Sequence, residues 1–291
     1  MSETDFQNIG VVGLGLIGGS LARAYQKAGF TVYGSDRNKI TLDFVRMTGI
    51  IRDTLEAHGF QGLDAVFLAV PPQEAVTWLR DHAKEIPAGT LVIDCCGNKR
   101  QICDLGFQLM DETEMTFVGG HPMAGRQVWG FKNSRADMFE GADFVIVPRD
   151  RSDIRLLERV KALLRPAGFQ VFSVMAPEEH DQIIAFTSQL SHIVSSAFIK
   201  SEKALGRDAA AAGGSFRDMT RVAYLNEAAW TELFLENRDN LLAELRRLLE
   251  DLGAYEKALE AGDSETLKKL LAEGRFHKQA AEEKAEALRK R

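Results

Sequence analysis

The chain has 291 residues, 45% of them hydrophobic and 27% charged, and carries a formal net charge of −6. That length and balance fit a folded, soluble protein of two domains, each long enough to bury its own core. The acidic balance, with lysines and arginines scattered rather than clustered, argues against nucleic-acid binding, and no apolar run approaches the roughly 20 residues that a membrane span needs.

The opening segment MSETDFQN is polar and acidic rather than basic and then apolar, so the expected location is cytoplasmic. From residue 8 to about 175, short apolar runs alternate with segments of helical period: IGVVG, TVYGSD, DAVFLAV, TLVIDCC, TFVGG, DFVIVP and FQVFSV. Strands buried on both faces of a parallel sheet read as continuous apolar runs. The expected fold class is therefore α/β, with a Rossmann-type doubly wound sheet over residues 1–175. Beyond it Pro177 suits the first turn of a helix, strand signals cease, and an all-α domain is expected over 176–291.

The first loop, GLGLIGGS, has Gly13, Gly15 and Gly18 in the G-x-G-x-x-G spacing between a strand and a helix. That context marks a dinucleotide site. Glycines permit the tight turn and the close approach of pyrophosphate, and the unpaired N–H groups of the helix start face the phosphates. Gly13, Leu14, Gly15, Leu16, Ile17 and Gly18 are thus the expected cradle. Asp36 ends the second strand, where a carboxylate accepts from the ribose hydroxyls and repels a 2′-phosphate, so NAD is the expected cofactor, with Arg37 alongside. Val70 and Pro71, at the end of DAVFLAVPP, should line the nicotinamide end.

Cys95, Cys96 and Cys103 show no metal-ligand spacing against the histidines, so reduced, packed thiols and no metal are expected. In GGHPMAG, glycines and a proline flank His121 in what reads as a constrained turn that aims the side chain. A buried structural histidine is one reading. The other is a base, because TFVGG delivers His121 to the carboxyl edge of the sheet, where ligands bind, and imidazole titrates near neutrality.

A helix over about 178–205 carries a buried apolar stripe and a polar one formed by Ser188, Gln189, His192, Ser195 and Ser196, which points to interhelical hydrogen bonds or to a pocket. Arg217 and Arg221 follow. A later helix sets Leu241, Leu242, Leu245, Leu248, Leu249, Leu252, Tyr255 and Leu259 on one broad face, more than a small lobe covers, and a homodimer is expected. The tail from Asp263 to Arg291 reads as a charged, frayed helix.

GLGLIGGS, YGSDRN, AVPP, IDCCGNKR, GGHPMAGRQVWGFKNSRADMF, PEEHDQIIAFTSQLSHIVSSAF and GGSFRDMTRVA together resemble the prephenate/arogenate dehydrogenase family of tyrosine biosynthesis, over residues 8 to about 260. The resemblance implies NAD-dependent oxidative decarboxylation of prephenate to 4-hydroxyphenylpyruvate and carbon dioxide, with arogenate as the alternative substrate. It gives His121 the ring hydroxyl, places His192 and Gln189 in the substrate pocket, and makes Arg221, rather than Arg217, the substrate arginine. His180 also matches, but its acidic neighbours leave a structural or capping role equally open, and it is not placed in the site. Many relatives carry serine where this chain has Gly97, so backbone N–H or water is expected to serve there. No regulatory ACT module or fused chorismate mutase is expected, and tyrosine, if it inhibits, should compete at the active site. A 3-hydroxyacid dehydrogenase would instead use a lysine of the helical part, for which Lys200 and Lys203 lack the glycine-rich context. A silent NAD-binding regulator would have lost His121 or the substrate cations, which are present.

Overall fold

A computed structural model describes residues 6–126, 128–205 and 213–289. In chain order the elements are β1 (Asn8–Val12), α1 (Leu16–Lys27), β2 (Thr31–Ser35), α2 (Lys39–Met47), β3 (Asp53–Thr54), α3 (Leu55–His58), β4 (Ala65–Leu68), α4 (Pro72–His82), β5 (Leu91–Asp94), α5 (Arg100–Glu112), β6 (Thr116–Pro122), β7 (Asp143–Val147), α6 (Ile154–Leu164) and β8 (Val171–Val174). Helices follow: α7 (Pro177–Ile184), α8 (Ser191–Phe198), α9 (Gly214–Thr220), α10 (Glu227–Glu236), α11 (Arg238–Glu260) and α12 (Ser264–Arg289). A π-helical turn over Ala185–Leu190 joins α7 to α8.

The sheet order is β3-β2-β1-β4-β5-β6-β7-β8, whose first six strands follow the doubly wound dinucleotide-binding order. Alternate residues of a strand enter different cores. Ala65 and Phe67 pack with Leu21 and Tyr25 of α1, whereas Val66 and Leu68 pack with Val76 and Leu79 of α4 and with Ile102 of α5. The apolar runs are continuous for that reason: both faces are covered.

One strand departs from the parallel expectation. β6 pairs parallel with β5 up to Ile93↔Val118, and then antiparallel with β7 from Gly119↔Val147 to Pro122↔Phe144. The connection between β6 and β7 holds one 3-10 turn (Phe131–Asn133) and no crossover helix, so the chain re-enters the sheet in the opposite sense.

The chain divides into two compact units, 1–238 and 239–291. The second consists of α11 and α12 joined at Gly262 (φ +63°), with Asp263 capping α12 by accepting from Thr266 N–H at 3.0 Å. On α11, Leu242, Leu249, Leu252 and Leu259 are exposed. Among the described residues no helix is long and apolar enough to cross a membrane.

Candidate active site

Two cavities border the carboxyl edge of the sheet. The first, about 520 Å³, is lined by Gly13, Leu14, Gly15, Asp36, Arg37, Val70 and Pro71, seven of the ten residues expected around the dinucleotide. Leu16, Ile17 and Gly18 form the first turn of α1 behind it. Gly13 sits at φ +84°, and a Cβ there would come within 2.5 Å of Val70 Cγ1; a Cβ on Gly18 would collide with Gly13 O. Gly15 faces open space. The glycines thus have separate duties: Gly13 the turn, Gly18 the packing of helix on strand, and Gly15 room for a ligand against the helix start, which has no side-chain cap.

Asp36 Oδ2 accepts from Leu14 N–H at 2.7 Å and Oδ1 from Asn38 N–H at 2.8 Å. These bonds fix the carboxylate while leaving lone pairs for ribose hydroxyls. Arg37 turns to Glu74, at 2.6 Å, and Glu56 also lines the cavity. Three carboxylates against one guanidinium make a poor seat for a 2′-phosphate.

The second cavity, about 720 Å³, brings together His121, Gly97, Gln189, His192 and Arg221 with Arg126, Ser188, Asn226 and Trp230. His121 lies in strand β6, not in a turn. Neither Gly119 nor Gly120 has positive φ; a Cβ on Gly119 would lie 2.5 Å from Cys103 Sγ, and one on Gly120 would lie 2.5 Å from Asp94 O. The double glycine serves close packing rather than a left-handed backbone.

His121 Nδ1 lies 2.9 Å from His180 Nε2, and His180 Nδ1 lies 2.8 Å from Asp181 Oδ1. A carboxylate beside His180 Nδ1 assigns the hydrogens. His180 donates from Nδ1 to Asp181, its Nε2 accepts from His121 Nδ1–H, and His121 keeps a lone pair on Nε2. Burial pushes the His121 pKa well below the usual imidazole value, helped by the neighbouring His180 and Lys99. Burial likewise lowers His180, against the pull of Asp181. Burial opposes ionisation of Asp181, but hydrogen bonds from His180 and from the Arg100 and Lys99 amides outweigh it and hold the carboxyl below its ordinary value.

His192 donates from Nδ1 to Ser188 O at 2.8 Å and stacks on Trp230 with ring centroids 3.9 Å apart, leaving Nε2 for a ligand. Gln189 borders the cavity, but its polar atoms are committed elsewhere. Nε2 donates to Asn98 Oδ1 at 2.9 Å and to Leu233 O at 3.2 Å, and Oε1 accepts from Asn237 Nδ2 at 2.9 Å. Its place is in the wall, joining the π-turn to α10. A Cβ at Gly97 would lie 3.0 Å from Leu233 Cδ2, so the missing side chain leaves space for that leucine. Arg217 is absent from the lining, as are Lys200 and Lys203. Reading the sequence missed two residues: His180, whose partner is 59 positions away, and Arg126, which follows HPMAG directly. The signal for His180 was the match of EEHD; for Arg126 it was only proximity to His121.

Comparison with known proteins agrees with this arrangement. Residues 21–173 match the model described as prephenate dehydrogenase, nucleotide-binding domain, and residues 176–273 match prephenate dehydrogenase, dimerization domain. The chain is 30% identical over 282 residues to the prephenate dehydrogenase of Lactococcus lactis subsp. cremoris, covering 94% of this chain and 77% of that one. The crystal structure of A. aeolicus prephenate dehydrogenase in complex with hydroxyphenyl propionate and NAD+ superimposes with a TM-score of 0.77 at 27% identity, covering 95% of this chain and 99% of the other. Synechocystis arogenate dehydrogenase gives the same score and identity over 94% and 100%. With a nucleotide cradle, a half-buried imidazole at the sheet edge and both halves of the family matched in order, the chain belongs to the prephenate dehydrogenase family of NAD-dependent oxidoreductases.

Proposed function

We infer that this protein oxidatively decarboxylates prephenate to 4-hydroxyphenylpyruvate and carbon dioxide, with His121 as the base. The observation that carries the reading is a neutral imidazole, backed by His180 and Asp181, on a cavity that contains two arginines and, among its described lining residues, no carboxylate. Gly13, Gly15 and Asp36 hold NAD, which supplies the hydride acceptor. His121 Nε2 takes the proton of the ring hydroxyl as that carbon becomes a carbonyl, and the charge gained is shared through Nδ1–H with His180 and Asp181. As the ring carboxylate leaves as carbon dioxide, its electron pair passes through the ring to the carbonyl oxygen, which takes the proton back from His121; the ring becomes aromatic, and this drives the reaction forward.

Arg221 and Arg126 are the available cations for the two carboxylates of the substrate, and His192 binds beside Arg221. Arogenate differs by an ammonium in place of the keto group, and among the described lining residues no carboxylate is there to receive it. Prephenate is the better fit. We assign residues 1–175 to the cofactor and 176–291 to substrate binding and homodimer formation, the latter supported by the exposed leucines of α11.

The test is NAD reduction with purified prephenate and with arogenate, in the unaltered protein and in His121→Asn. Prephenate should give the higher kcat/KM, and the variant should lose roughly 100-fold or more in kcat with NAD affinity intact. Faster turnover of arogenate, or near-normal turnover by the variant, would overturn the corresponding part of the reading.

A further inference from the structure

Lys99 is fully buried and lines neither of the two cavities, yet its contacts reach both sides of the proton relay. Its Nζ donates to Gly120 O at 2.6 Å and makes a close ion pair with Asp94 Oδ2. Asp94 Oδ1 in turn accepts from Gly120 N–H at 2.9 Å. The peptide groups on either side of Gly120, one of them shared with His121, are therefore gripped by one buried ion pair. On the opposite side, the main-chain N–H of Lys99 donates to Asp181 Oδ1 at 2.7 Å, the oxygen that also takes His180 Nδ1–H. One residue thus fixes the strand that bears His121 and the carboxylate that sets the tautomer of His180.

A buried ammonium near a half-buried imidazole also acts by its charge. Desolvation disfavours a second positive charge there, and Coulombic repulsion from Lys99 adds to it. The other charged or titratable groups packed around the relay are Asp94, Cys95 and Cys96 at the end of β5, Arg100, Cys103 and Asp104 on α5, His180 and Asp181 on α7, and Glu236 on α10; Arg126, His192 and Arg221 face the cavity. Burial pushes the three cysteine thiols up, so they stay neutral, and Asp181 is already paired with His180 and with Arg100. Lys99 and Arg100 are the cations on the protein side of the relay, and of the two Lys99 is the fully buried one. A buried ion pair is seldom retained for stability alone, since an apolar replacement of similar volume is often as stable.

We propose that Lys99 is a positioning residue for the reaction: its ammonium, paired with Asp94, clamps the Gly120 peptide to aim His121 and repels a proton from the imidazole, so that the base stays free. This rests on His121 being the base, which the turnover of His121→Asn tests separately. The measurement is the pH dependence of kcat/KM in Lys99→Met and in the double variant Asp94→Asn/Lys99→Met, which removes both charges together and so avoids leaving Asp94 buried alone. In Lys99→Met kcat should fall about a hundredfold from the loss of aim, while the acid limb of the profile moves up by about one pH unit because the repelling charge is gone. In the double variant the limb should move in the same direction by less, with NAD affinity unchanged. Should Lys99→Met fail to fold, the double variant decides. A fall in rate with the acid limb unmoved in a folded variant would make Lys99 a scaffold residue only, and an unchanged rate would remove it from the mechanism.

Discussion

At the scale of single residues, the proposed base, His121, is shaped by withholding partners as much as by supplying them. His121 has one ring nitrogen committed to His180 and the other facing the cavity, in surroundings that resist its protonation. The arginines supply the opposite need. Arg126 and Arg221 line one cavity, and Arg126 has no ion pair among the described residues. If each holds one carboxylate of a doubly charged substrate, Arg221→Gln and Arg126→Gln should each raise the KM for prephenate by about tenfold or more. The proposed product, 4-hydroxyphenylpyruvate, keeps a single carboxylate and discriminates further: inhibition by it should weaken in only one of the two variants. Inhibition constants and KM values from the same initial-rate series check both statements, and an unaltered KM in Arg126→Gln would return that residue to the surface.

At the scale of elements, the cradle was the most legible part, because its logic is local. A strand, three glycines and a helix start lie within one short stretch, and Asp36 ends the adjacent strand. Asp36→Ser removes both the acceptor for ribose and the bond to Leu14 N–H, so the KM for NAD should rise about 10- to 100-fold and the preference over NADP should shrink, as measured by kcat/KM with each cofactor. Less was legible where partners come from distant segments. Apolar runs located β6 and β7 but carry no information on strand direction, so the antiparallel pair had to be seen. The polar stripe identified Gln189 as unusual, yet its bonds run to Asn98 and Asn237, 91 and 48 residues away, which no periodicity encodes. His180 was hidden likewise: beside glutamates it reads as a cap, and only the packing of α7 against α5 and β6 puts it behind the base.

For the whole molecule, the exposed leucines of α11 bear on assembly. Leu249 and Leu252 are more than half exposed in the single chain, and the matched dimerization domain includes them. Replacing both by glutamate would set unpaired carboxylates into the apolar interface of the proposed homodimer, which should then dissociate about a hundredfold or more readily, as read by sedimentation equilibrium; a mass that stays that of two chains would place the interface elsewhere. The reversal of direction along β6 bears on durability instead. Past Val118 the strand outruns β5 and is held by β7, so His121 projects beyond the parallel sheet while still within a ladder. A base carried on a loop is silenced by local fraying long before the fold gives way. Here heat finds no loop at His121: to set that residue adrift it must unzip the pairing of β6 with β7 inside the sheet, so inactivation at this residue and melting of the domain become one event.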